Sequence, residues 1–208
     1  QIRARTNEDI AARKKEILDV TAKLLKKHEY EDLTLAIIAD KLSISRPSLY
    51  NYYKTKEEIY LDLMRREYLS WAKELGRTFK EKMTREQFCR SLTKSLIKRQ
   101  LIMQLFTVQP AKLLAECGKD AILQYNRDIH PFFEALSDIL KTQFPDCAEE
   151  QRDMFKVQLT MYCYSVYPLT NMPAIYPKKI APMNLYGNIP SSEDVIFKGL
   201  MLLSAELE

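Results

Sequence analysis

Apolar residues recur along this chain at intervals of three and four, the period of helices buried on one side. Ile10, Ile17, Leu18, Thr21, Leu24 and Leu25 form the first stripe, which ends near His28 and starts behind Asn7, a side chain suited to capping. Leu35, Ile38, Ala39 and Leu42 repeat the period behind a second capping residue, Thr34. Between Ser45 and Tyr53 only Leu49 and Tyr53 share an inward face. Ser45 is a good N-cap there, and Pro47 falls in the first turn, where its missing N–H costs nothing. Ser43 and Ile44 are left to make a tight turn. Residues 34–59, TLAIIADKLSISRPSLYNYYKTKEEI, therefore predict two short helices joined by a turn, with a third helix starting behind Thr55. That is a helix-turn-helix.

The third helix runs long, to about Phe79, with no Pro and no Gly before Gly76. Ile59 and Leu63 would pack back onto the helix-turn-helix, and Tyr68, Trp71, Leu75 and Phe79 would face a second core. One helix serving two cores places the junction near residues 54–60. The expected division is an N-terminal domain over residues 1–54 and a C-terminal helical domain over 55–208. Residues 84–107 carry Phe88, Leu92, Leu96 and Ile97 at helical spacing and lead to Pro110. A short helix over 110–117 should stop at Gly118. The next helix, 119–142, carries Ile122, Ile129, Phe133, Leu136 and Leu140, and Pro131 should kink it or mark a junction of two helices. A helix over 147–167 shows Phe155, Leu159, Tyr162 and Val166 on one side. Residues 168–190 hold five of the nine prolines and read as a loop. Ser192 then caps a final helix with Val195, Ile196, Leu200 and Leu203. With only 4 Gly in 208 residues, the fold class is all-α.

Composition changes this picture little. The net charge is +4, and residues 1–56 hold 12 Lys and Arg against 8 Asp and Glu, so the predicted helix-turn-helix region carries an excess equal to the whole chain's. Residues 1–6 make a basic arm that can reach along DNA. Cys89, Cys117, Cys147 and Cys163 are widely spaced with no Cys-x-x-Cys, which suits a reduced, cytoplasmic protein. No apolar run approaches 18 residues, so no membrane partner is expected. His28 and His130 are the only histidines, and there is no His-Glu-x-x-His, Walker loop, Gly-rich dinucleotide turn or nucleophile elbow. No catalytic residue, metal site or cofactor is expected, and the chain does not read as an enzyme.

The chemistry sits on the second short helix, whose outward face carries Arg46, Ser48, Asn51 and Tyr52, all able to hydrogen-bond to bases or phosphates. Ile38-Ala39, Ile44-Ser45, Leu49-Tyr50, Tyr53, Lys56-Glu57 and Ile59 stand at the spacing of a known pattern. In it the segment resembles the DNA-binding domain of the TetR family of tetracycline-repressor-like transcription factors. Ser43 departs from the pattern, which usually has Gly at the turn, and Ser is less comfortable at positive φ.

The resemblance implies a DNA-contacting set on and around the recognition helix: Thr34, Ser45, Arg46, Pro47, Ser48, Tyr50, Asn51, Tyr52 and Lys56. Arg46 would read guanine and Ser48 and Asn51 would reach base edges, while Tyr50, Tyr52 and Lys56 match positions that hold phosphates. Thr34, a hydroxyl at a helix start, would offer a further phosphate contact. The resemblance also implies a homodimer on a double-stranded DNA operator with two-fold symmetry, paired through helices 147–167 and 193–206. The implied effector is a small, largely apolar ligand that releases a repressor from its operator by a population shift. Met103, Gln104, Phe106, Gln109, Tyr125, Phe132, Met161 and Tyr164 are the candidate lining, since mixed Met, aromatic and amide residues suit an adaptable pocket. The alternative is a constitutive dimeric DNA-binding protein without a small-molecule effector.

Overall fold

The computed structural model describes residues 6–28, 30–108, 110–170 and 190–207. The arm before Thr6, Gln109 and residues 171–189 of the Pro-rich stretch lie outside the described residues. Every regular element among the described residues is a helix: α1 (Asn7–Leu25), α2 (Leu35–Lys41), α3 (Arg46–Tyr50), α4 (Lys56–Thr78), α5 (Arg85–Lys98), α6 (Gln100–Leu105), α7 (Pro110–Gln143), α8 (Glu149–Thr170) and α9 (Ser192–Leu203). The all-α class is what the helical period requires.

The described chain packs as two compact units, residues 1–68 with 108–130, and residues 69–107 with 131–208. Helix α4 passes from the first into the second at Tyr68, so Ile59 and Leu63 are buried in one unit and Trp71, Leu75 and Phe79 in the other. Tyr68, expected to face the second core, closes the first unit.

In the first unit, α1 turns Ile17, Leu18, Leu24 and Leu25 inward, and Thr21 is buried because its hydroxyl donates to the Ile17 carbonyl at 2.8 Å. Its cap is Thr6 rather than Asn7: Thr6 Oγ1 accepts from the Asp9 N–H while the Asp9 carboxylate accepts from the Thr6 N–H, a reciprocal pair that Asn7 cannot form. Arg66 of α4 pairs with Asp19 of α1 at 2.6 Å.

In the second unit, α9 packs on α5 and α8. Phe88 centres an aromatic cluster, 4.9 Å from Phe79, 5.1 Å from Phe144 and 6.2 Å from Phe155 between ring centroids. A polar chain runs beside it. Trp71 Nε1 donates to Ser95 Oγ (2.9 Å), Ser95 donates to Glu74 (3.0 Å), and the buried Arg99 pairs with Glu74 at 2.5 Å. Arg99 also divides the expected 84–107 helix into α5 and α6, at φ −100°, ψ 46°. Where α8 crosses α9, Tyr162 Oη donates to the Val195 carbonyl at 2.9 Å. A Cβ on Gly199 would lie 2.3 Å from that phenol oxygen, so glycine is required for the approach. The cap of α9 is Ser191, not Ser192, with its hydroxyl accepting from the Asp194 N–H.

Helix α7 breaks at Gly118 (φ 79°, ψ 167°) and keeps helical dihedrals through Pro131, where a kink was expected. Pro forbids its own N–H bond but tolerates α-helical φ, whereas the Gly118 dihedrals interrupt the helix outright.

Candidate nucleic-acid interface

Thr34 starts α2 by accepting from the Ile37 N–H at 3.3 Å. The helix stops in a Schellman motif: the Ile44 N–H reaches the Ala39 carbonyl (3.1 Å), the Ser43 N–H reaches the Asp40 carbonyl (3.0 Å), and Ser43 sits at φ +52°. Ser43 thus occupies the left-handed region that the motif demands and that a non-glycine residue enters at a cost. The turn delivers Ser45, whose Oγ accepts from the Ser48 N–H at 3.3 Å and caps α3.

Helix α3 buries one side chain. Leu49 is 1% exposed and, with Ile38, Ala39 and Tyr53, pins the helix to the unit's core. Ser45, Arg46, Pro47, Tyr50 and Asn51 are exposed, with Tyr50 at 53%. A short helix held by a single leucine presents the rest of its surface to solvent. Ser48 is half-buried, and its hydroxyl lies 2.9 Å from Ser45 Oγ, so these two form a preset pair. Tyr52 is half-buried and lines, with Lys14, Tyr53, Asp62, Arg65 and Tyr125, a hollow of about 300 Å³ in the same unit. Tyr53 Oη donates to Asp62 at 2.7 Å, and burial together with the Asp62 carboxylate pushes the phenol well above its usual range, so it remains a neutral donor.

Lys56, expected to hold a phosphate, is half-buried. Its ammonium donates to the carbonyls of Tyr30 and Leu33, both at 2.9 Å, and lies 4.2 Å from the Tyr30 ring centroid. Tyr30 Oη in turn donates to the buried Glu57 carboxylate, and burial with that carboxylate raises the Tyr30 phenol far above its ordinary value. Tyr60 meets the Tyr30 ring edge-on at 4.6 Å and is raised by burial and by Glu57. No signal in the sequence marks Tyr30 as a site residue; only the fold brings it under Lys56.

The eight candidate lining residues divide. Met103, Phe106 and Phe132 are buried in the second unit, Gln104 is half-buried there, and Tyr164 stacks on Phe106 at 4.9 Å. Tyr125 belongs to the first unit, with its Oη 3.9 Å from Met64 Sδ. Met161 is 66% exposed, because the inward position on α8 is taken by Cys163, whose thiol burial pushes up to about 12. Gln109 lies outside the described residues. Among the described residues no group of three or more His, Cys, Asp and Glu is placed to hold a metal ion, and no helix is long and apolar enough to cross a membrane.

Residues 17–63 match the model of bacterial regulatory proteins of the tetR family, and residues 65–177 match the tetracyclin repressor-like C-terminal domain. Among solved structures, a transcriptional regulator of the TetR/AcrR family from Thermobifida fusca aligns over 92% of this chain and 96% of its own, at TM-score 0.58 and 14% identity. A TetR transcriptional regulator from Rhodococcus sp. RHA1 aligns over 97% and 100%, at TM-score 0.57 and 14% identity. The TetR family repressor AlkX from Dietzia sp., implicated in biodegradation of n-alkanes, aligns over 94% and 97%, at TM-score 0.51 and 12% identity. At these identities the likeness is one of fold. No curated protein sequence gives a significant match. With both halves of the chain matched by its models, and with a capped recognition helix anchored by Leu49 alone, the chain belongs to the TetR family of DNA-binding transcriptional regulators.

Proposed function

We propose that the protein is a homodimeric repressor that binds an operator of two-fold symmetry through α3 and leaves it when a small, largely apolar ligand binds its C-terminal helices. The observation that carries the DNA reading is the exposed polar face of α3, Arg46, Pro47, Tyr50 and Asn51, set on a buried Leu49. One such helix makes too few contacts to be selective, and two copies about 34–36 Å apart supply the rest.

Support for pairing comes from α8. Met154, Val157 and Met161, spaced three and four apart, are each at least half exposed, and Val157 and Met161 line a groove of about 470 Å³ with Phe133, Asp153, Lys156 and Thr160. Leu202 on α9 is 78% exposed. An apolar row on one face and a packed row of Phe155, Leu159 and Cys163 on the other is the pattern of a helix shared by two cores.

For the ligand, the lining contracts to Met103, Gln104, Phe106, Phe132 and Tyr164. The departure of Tyr125 and Met161 from that group favours, as a second reading, a constitutive dimeric regulator whose C-terminal half only pairs. Selection of bound duplexes from a random pool, followed by a release screen with apolar compounds, separates the readings. We expect enrichment of an inverted repeat, and Arg46→Ala relaxing preference at one position per half-site by about 1–3 kcal/mol. Failure to enrich any sequence overturns the reading. Equal loss on every duplex would reassign Arg46 to phosphate. Release by no compound would favour the constitutive form.

A further inference from the structure

We propose that Lys56 serves DNA binding by position rather than by contact, clasping the α1–α2 linker to the first turn of α4 through Tyr30. The proposal rests on the reading that α3 enters the groove. An ammonium has three protons, and two of those on Lys56 are committed to the Tyr30 and Leu33 carbonyls. Leu33 is fully buried and directly precedes the cap of α2, so its carbonyl needs a donor that water cannot supply. The Tyr30 carbonyl also accepts from the Leu33 N–H at 3.3 Å, closing the linker into a turn. Lys56 grips both carbonyls of that turn.

The ring below completes the clasp. The Tyr30 phenol keeps its proton and donates a hydrogen bond to buried Glu57, the residue next to Lys56, which enriches the ring that the ammonium faces. Lys112 of α7 places a second ammonium 4.5 Å from the same centroid. Tyr30 is thereby held by α4 and α7 within one unit, and Thr34, four residues on, begins the helix that carries the turn and α3. Moving the linker moves α2 as a body, and α3 with it.

The test uses the whole protein and the selected duplex, with affinity measured across a series of salt concentrations. A lost phosphate contact lowers the slope of log affinity against log salt by about 0.9 for each contact. A lost positioning residue weakens binding and leaves the slope alone. We expect Lys56→Met to weaken binding about tenfold at unchanged slope, Tyr30→Leu to do the same, and the double variant to lose no more than either alone. Lys56→Gln, which keeps a donor for the carbonyls without the charge, should recover part of the loss. A slope reduced in both Lys56→Met and Lys56→Gln, with Tyr30→Leu binding normally, overturns the proposal. Urea unfolding of the same variants decides the clasp without DNA. Non-additive losses of stability support it, and additive losses overturn it. Absence of DNA binding by the wild type would instead refute the function proposed above, and the unfolding result would still stand.

Discussion

Helices α3 and α8 each leave one face uncovered, and the two faces are chemically opposite. The free face of α3 carries Arg46, Tyr50 and Asn51 around one buried leucine, while that of α8 carries Met154, Val157 and Met161 opposite a full buried row. A polar face is at ease in water, so its exposure says only that a polar partner can be met. An apolar row of three large side chains is not at ease there. The α3 surface is thus ready for an occasional partner such as DNA. On the pairing proposed above, the α8 surface would hold a standing one.

Charge on the apolar row is the hardest blow to this contrast. Val157→Glu should leave the helical circular dichroism intact, turn a dimer into a monomer by sedimentation, and reduce operator affinity by at least a hundredfold, since one recognition helix would then bind alone. An unchanged sedimentation coefficient would show that α8 does not pair. Leu49→Ala attacks the other side. It removes the one buried anchor of α3 and should cost about 2–5 kcal/mol in urea unfolding. Gly199→Ala drives a methyl into the Tyr162 phenol and should cost about 1–3 kcal/mol, separating the packed side of α8 from its free side. Ser43→Gly relieves the positive φ at the turn and should raise stability by less than about 1 kcal/mol, because glycine's extra unfolded freedom offsets part of the gain.

Much of the fold was legible in the helical period, and the reasons for the exceptions are local. Thr6 and Asn7 can both cap, as can Ser191 and Ser192, and only the reach of a carboxylate three residues on decides between neighbours. Periodicity finds an apolar stripe but cannot say what covers it. On α8, apolar residues lie on two sides, so Met161 read as pocket lining while Cys163 held the inward place. Tyr125 shares the helical period of α7 with Phe132, yet the two fall in different units because α7 crosses from one to the other. Of the interface, Ser43, Ser45 and Leu49 were readable because turn and capping chemistry is written within a few residues. The clasp on Lys56 was not, since it joins residues 26 apart and depends on which way a flexible side chain turns.

Gly118 has a consequence for the course of α7. A continuous helix of 34 residues would be a stiff rod of about 50 Å, passing torque from end to end undiminished. At φ 79°, ψ 167° the backbone bond pattern is cut, in a conformation that essentially only glycine adopts. Beyond the adjoining backbone, nothing stands within 4 Å of where a Cβ would lie, so it is the dihedral angles and not crowding that reserve this place for glycine. The eight residues before it, Lys112 among them, are thus set off from the rest of α7 by a break that only glycine holds without strain, so a side chain at Gly118 would re-aim the segment that meets Tyr30.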